Sequence, residues 1–516
     1  MVKQRVPKIA KFRNGHLRSW KRSRIFTFIL VLFGITQIAF VITWHYRAPI
    51  AKREAIKIRH IKRNIDGDAV AHSHKELKVL TEFTGTADQL SNKLKSGFGG
   101  QISIEYSINN GVEDIKFDYA KASYPKQIDF SQLAPKKQAA KKLTGYVRVY
   151  SRYWEQMTMN LRSLISLAGQ AKIGGRKVLE PGVKDSVFNL HGHSLGIYFD
   201  LKHFNSILEA SDYATLANQD EYDNACSSAN TSHVTIHFLY PQKGVDFTKE
   251  KMHLNDHEYN TISSEASKTG WTECKGLTHF VKESSKSKQY CVDPKKFTKW
   301  EKLERDVIKG TKCLTICAWR GIGSGFRTFF SESEFKVKSR DIQFALKPPW
   351  DILKEAKVFK NKVLTGRYIA VQVRGERVVI PHDLNRLRSC LRLLAEVVSM
   401  LKQLSDITQV LIASDMSDFG SGSWGGSLKG EVYNDNTLKD LHSFLISSTG
   451  GIEYKPTTND RDRGVVALVE MDLIARAQHL ITIGTGSFQE WIKAKFLEQH
   501  RNDDRPSWSL ITMCSK

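Results

Sequence analysis

The first 24 residues contain no aspartate or glutamate and carry nine lysines and arginines, a bias that holds this end of the chain on the cytoplasmic side of a membrane. No internal repeat is evident, which excludes solenoids and propellers. The glycine-rich stretch Gly321-Ile322-Gly323-Ser324-Gly325 is not followed by Gly-Lys-Ser/Thr, so it is not a phosphate loop. Two Asp-x-Asp triplets occur, Asp66-Gly67-Asp68 and Asp460-Arg461-Asp462, and neither follows an apolar strand. A carboxylate-held divalent metal is therefore not expected. Cys313 and Cys317 lack a second ligand pair, which argues against zinc, and the His253 and His257 pair reads as surface histidine.

The basic excess is uneven. Residues 1–145 hold 27 Lys/Arg against 11 Asp/Glu, whereas the remaining residues hold 51 against 43. A nucleic-acid-binding protein concentrates its positive charge on a folded domain, so no nucleic-acid partner is expected. Ile25 to Trp44 is an uncharged run of the length that crosses a bilayer as a helix. It is longer than a signal-peptide core and is followed by Trp44-His45-Tyr46-Arg47 rather than a small-residue cleavage site, which favours an uncleaved anchor. The expected topology is a type II single-pass protein of the secretory pathway, in the Golgi membrane or the ER. Its seven cysteines would then allow up to three disulfides with one thiol left over, and Asn230-Thr231-Ser232 is one glycosylation sequon.

At 516 residues, 41% hydrophobic and 26% charged, the chain can hold two or three domains. The expected segments are a basic tail 1–24, an anchor 25–44, a luminal stem 45–145, and two α/β halves at 146–350 and 351–516. Strands are expected at Tyr146 to Tyr150, Arg176 to Pro181, His233 to Tyr240 and Leu314 to Trp319, with a helix from Met157 to Ala171. The Ser-, Lys- and Cys-rich stretch between the last two strands reads as an insertion or loop. In the second half, strands at Tyr368 to Val373, Thr408 to Ala413 and His479 to Ile483 alternate with helices over Leu384 to Leu404 and Val465 to Gln478. Alternation of this kind implies mostly parallel sheets, and two halves imply a cleft between them.

Three strand ends in the second half carry the chemistry. They are Val373-Arg374-Gly375, Ala413-Ser414-Asp415 and Ile483-Gly484-Thr485-Gly486-Ser487-Phe488. Parallel strands deliver such residues to the carboxyl edge of a sheet, where ligands bind. An arginine fork and glycine-bracketed amides suit a phosphorylated nucleotide.

In order along residues 146–516, the segments Tyr153-Trp154-Glu155-Gln156-Met157-Thr158-Met159-Asn160, Gly175 to Pro181, Tyr198-Phe199-Asp200-Leu201, Val371-Gln372-Val373-Arg374, Ser414-Asp415 and Gly486-Ser487-Phe488 resemble the fucosyltransferase superfamily of GT-B fold, which includes the protein O-fucosyltransferases. The resemblance implies a GT-B-like pair of Rossmann-type domains, an acceptor-side first half and a donor-side second half. It further implies an inverting, metal-independent transfer of fucose from GDP-fucose to a hydroxyl of a glycan or protein acceptor, without a cofactor. Arg374 would stabilise the leaving diphosphate, and Asn160, Gln372, Asp415, Gly486, Ser487 and Phe488 would hold the donor. Gln372 stands where the family has histidine, which leaves donor identity open.

Each residue also has a plainer reading. Asp415 serves equally as the cap of a following turn. Ser487 opens a helix and can be an ordinary cap, or can present an anion-binding helix N-terminus. Glu155 is the candidate general base, and also a first-turn carboxylate favoured by the helix dipole. Asn160 bridges to phosphate or merely caps, and Arg320 follows a strand that can line the cleft. Two other classes stay open: a non-catalytic nucleotide- or glycan-binding relative, and a membrane-anchored adhesion protein.

Overall fold

The computed structural model describes residues 100–515 apart from 110–111, 122, 134–142, 151–155, 190, 228–230, 240–248, 250–253, 275–287, 298, 318–331, 333, 379–383, 418–434, 459–460 and 503–506. The expected tail, the anchor at 25–44, the Asp66 triplet, the sequon at Asn230 and Arg320 lie outside these residues. Among the described residues no helix is long and apolar enough to cross a membrane.

The strands in chain order are β1 (Gly100–Asn109), β2 (Val112–Lys121), β3 (Gly145–Val149), β4 (Arg176–Leu179), β5 (Gly182–Lys184), β6 (Val187–Asn189), β7 (Leu216–Ala217), β8 (His233–Phe238), β9 (Trp271–Glu273), β10 (Lys288–Val292) and β11 (Cys313–Cys317). The second half adds β12 (Tyr368–Val373), β13 (Gln409–Ser414), β14 (Gly451–Glu453), β15 (His479–Ile483) and β16 (Ser509–Met513). They assemble into two seven-stranded sheets, ordered β7-β4-β3-β11-β8-β10-β9 and β14-β13-β12-β15-β16-β1-β2. All neighbours in the first sheet are parallel except β9 with β10, and all in the second except β1 with β2.

Every residue of β8, β11, β12 and β15 is buried, as parallel strands are when helices cover both faces. The expected helix near Met157 runs Met157–Ile173 and is buried on nearly all sides, because it packs between its own sheet and the helix Ser339–Ala345. The helix Leu384–Ser405 instead buries one stripe, with Leu387, Leu391, Leu394, Val398 and Leu401 facing inward.

Two expectations change. Residues 100–121, which the sequence places in the stem, form a hairpin on the second sheet: β1 pairs with β16 from Gly100↔Ser509 to Ile104↔Met513 and buries Ile102 and Ile104. Without this cover β16 would be an open edge. The stretch between β8 and β11 is not merely an insertion, since β10 pairs in parallel with β8. Its cysteines are tied as Cys274–Cys291, while Cys226–Cys313 and Cys390–Cys514 staple separate elements and Cys317 stays a buried thiol.

Candidate functional site

Strand register builds the site. β12 lies between β13 and β15, and the pairs Val373↔Ser414 and Val373↔Ile483 bring the next residues of each strand, Arg374, Asp415 and Gly484, side by side at the carboxyl edge. Backbone bonds fix them there: Arg374 N donates to Ile483 O at 2.9 Å, and Asp415 N donates to Val373 O at 3.2 Å.

Asp415 also holds the turn that follows Arg374. Its Oδ1 accepts from Gly375 N at 2.9 Å and its Oδ2 from Glu376 N at 3.1 Å, capping the short helix Gly375–Val378. Burial pushes its carboxyl up to about 7, against the opposing pull of the two amide donors and Arg374. The turn-capping alternative is therefore realised for Asp415, on the turn after β12 rather than the one after its own strand.

Two glycines leave room for Arg374. Gly484 adopts φ 83°, a conformation favouring glycine, and a Cβ there would come 2.6 Å from Arg374 O. A Cβ on Gly486 would strike the guanidinium, at 2.9 Å from Cζ and nearer still to Nη1. The guanidinium itself is engaged by Glu376, whose Oε1 lies 2.8 Å from Nε and 2.6 Å from Nη2.

Across from this edge stands the first half. The cleft is open to solvent, and Gln156, Met157, Thr158 and Ser186 line one wall while Gln372, Arg374, Glu376, Asp415, Phe488 and Gln489 line the other. Two helices begin at this cleft, Met157–Ile173 after Gln156 and Ser487–Gln499 after Gly486, and neither N-terminus has a side-chain cap. Helix starts of this kind carry partial positive charge and N–H groups suited to an anion.

A hydrogen-bonded junction pins the two halves beside the cleft. Asp462, the cap of helix Arg463–Ala475, accepts from Tyr198 Oη at 2.7 Å and from Asp185 N at 2.6 Å, and Ser186 N donates to Tyr198 Oη at 3.0 Å. Asp185 and Ser186 form the β5–β6 turn with φ 50° and 69°. Asp462 thus acts as a structural cap joining the halves, and Asp460 lies outside the described residues.

Of the sequence-derived site residues, Gln372, Arg374, Asp415 and Phe488 line one cleft, with Gly486 packed beneath the guanidinium. Ser487 is the first residue of its helix, outside the cleft lining, and Gly486 rather than Ser487 occupies the cap position. Asn160 is fully buried inside its helix and does not line the cleft, because the fourth position of the helix turns it into the core. Glu155 lies outside the described residues. Glu376, Gln489, Thr158 and Ser186 were not singled out from the sequence; only Glu376 carried a signal, two residues after the arginine. Among the described residues no cluster of three or more His, Cys, Asp or Glu converges on a metal position.

No protein-family model matches the chain, and no curated protein matches it. Among solved structures, POFUT1 in complex with GDP is similar at a TM-score of 0.41 and 11% identity, over 72% of this chain and 99% of that one. POFUT1 with GDP-fucose gives 0.41 and 11%, over 72% and 98%. The fucosyltransferase NodZ from Bradyrhizobium gives 0.32 and 14%, over 68% of this chain and 91% of that one. At TM-scores below 0.5 these likenesses add nothing to the residue geometry.

Proposed function

We propose that this chain is a glycosyltransferase that moves fucose from GDP-fucose to a hydroxyl of a glycan or protein, with inversion and without a metal. The observation that carries the reading is the placement of Arg374: a guanidinium fixed at a carboxyl sheet edge and lining a cleft where two uncapped helix N-termini begin. Fixed cations and amide donors of this kind favour the charge that builds on a departing diphosphate. The choice of fucose and GDP follows the order of the short motifs from Trp154 to Phe488.

In the reaction, an acceptor oxygen attacks the sugar's anomeric carbon, the bond from that carbon to the β-phosphate oxygen breaks, and the electron pair leaves with GDP. Arg374 meets that charge. The acceptor's proton passes to a carboxylate, for which Glu155 is the proposed base. Asp415 positions rather than reacts, holding the Gly375–Val378 turn so that Arg374 keeps its direction. Gly484 and Gly486 permit the close approach. The uncharged run Ile25 to Trp44 and the three disulfides suit a type II anchor in the oxidising lumen of the Golgi.

The test is calorimetric titration of the full-length protein with GDP and GDP-fucose, with and without EDTA, repeated on Arg374→Ala. Binding that survives EDTA and disappears in the variant is expected. A folded protein that binds neither ligand would instead leave the adhesion reading. The engagement of Arg374 by Glu376 and the glutamine at position 372 favour one second reading, a nucleotide-binding relative without transfer activity, which GDP-fucose turnover distinguishes from the enzyme.

A further inference from the structure

Two side-chain amides in the cleft are buried with an oxygen unsatisfied. Gln372 is 6% exposed and Gln489 1% exposed, both line the cleft, and the Oε1 of each accepts no hydrogen bond from a described residue. Buried acceptors in folded proteins are almost always paired, and leaving one unpaired costs its desolvation. The orientation of Gln489 is fixed, because its Nε2 donates to Ile483 O at 2.8 Å and a carbonyl accepts only from the NH₂ end of an amide. That carbonyl also takes the Arg374 N–H at 2.9 Å, so Gln489 is anchored directly beside the arginine. Gln372 lies on β12 two residues before Arg374, which stands just beyond the strand, and both line the cleft.

An ionised diphosphate offers no hydrogen to these oxygens. What satisfies them is an O–H or N–H donor, and a sugar ring joined to the phosphate that Arg374 faces brings hydroxyls to that position, nearer than the donors of a base at the far end of the nucleotide. On the nucleotide-sugar reading above, we propose that Gln372 and Gln489 are the hydroxyl-recognising pair of the cleft, their Oε1 atoms accepting from the donor's sugar ring. The pair thereby distinguishes the nucleotide sugar from the nucleotide left after transfer, which lacks that ring. Ribose hydroxyls share the chemistry, and comparison of two ligands separates the sources.

The experiment titrates full-length wild type, Gln372→Met and Gln489→Met with GDP and with GDP-fucose, and records thermal unfolding of each without ligand. Each substitution is expected to weaken GDP-fucose about tenfold and to leave GDP within about twofold. Ligand-free Gln372→Met is expected to melt at or above the wild-type temperature, since an unsatisfied buried acceptor has been removed. Gln489→Met also loses its bond to Ile483, so Gln372→Met carries the test if the other variant misfolds. Equal losses for GDP and GDP-fucose would assign the oxygens to the nucleoside and overturn the proposal. Unchanged affinity for both ligands, or a lower melting temperature for Gln372→Met, would mark a structural amide and overturn it as well. Wild type that binds neither ligand would overturn the nucleotide-sugar reading first, and this inference with it.

Discussion

Glu376 sits in the fork of the Arg374 guanidinium, with one carboxylate oxygen 2.8 Å from Nε and 2.6 Å from Nη2, and both side chains line the cleft. The carboxylate occupies donors that a diphosphate needs. An entering phosphate must displace it, so part of the intrinsic affinity of Arg374 is spent on breaking this pair. Glu376→Gln is expected to tighten GDP binding about twofold to fivefold, because an ion pair whose partners are each about a fifth to a quarter exposed is worth up to about 1 kcal/mol. Arg374→Ala is expected to abolish it. Weaker GDP binding by Glu376→Gln, measured by calorimetry, would mean that the carboxylate orients the arginine instead.

The Asp415 carboxyl, raised to about 7 by burial, gives the site a pH dependence. An anion bound beside Arg374 raises it further, so binding takes up protons and strengthens as pH falls through 7. Titrations in buffers of different ionisation enthalpy measure that uptake, and Asp415→Asn is expected to reduce it. The substitution keeps one acceptor for two backbone donors, so a loss of about 1–2 kcal/mol of stability accompanies it. An uptake identical in wild type and variant would place the titrating group elsewhere, on the nucleotide or another residue.

Gly486→Ala puts a methyl group into the Arg374 guanidinium. The side chain can swing aside where backbone could not, so the fold is expected to survive while GDP affinity falls at least tenfold. Gly484→Ala differs in kind. Its φ of 83° and the nearby Arg374 carbonyl make the cost a backbone one, about 1–3 kcal/mol of stability, readable by thermal unfolding without ligand.

Three histidines make the fold sensitive to acid. Burial lowers His233, His237 and His479 to about 4 in the folded chain. The unfolded chain takes up protons on them near 6.5, so the stability they confer is present above that pH and is lost as pH falls from about 6.5 toward 4. Asp415 works in the opposite direction between about 7 and 4, because its folded form holds the proton that the unfolded form releases. Glu180, also raised by burial, works with Asp415, and three histidines against these two carboxyls leave a net loss in acid. Unfolding free energy measured from pH 7 to 4.5 is expected to fall, and His237→Gln, if folded, is expected to flatten the slope by up to about 1.4 kcal/mol per pH unit. A slope that the substitution leaves unchanged would show that His237 does not titrate in this window.

The sequence alone determined the alternation of strands and helices and the residues at three strand ends, since both follow from local periodicity and from where an apolar run stops. β15 runs from His479 to Ile483 as its sequence implies, and Arg374, Asp415 and Gly484 stand one residue beyond their strands. Legible too was the cysteine count, which left one thiol over, though not its partners. Only the tertiary structure decided that Asp415 caps a turn 40 positions before it, that Cys226 pairs with Cys313 and that residues 100–121 close the edge of a sheet formed by the far end of the chain. It also turned Asn160 into the core and gave Gln489, otherwise an ordinary helix residue, a buried oxygen at the cleft. These outcomes depend on strand register and helix rotation, and both are fixed by packing between segments far apart in the chain, where local periodicity carries no information.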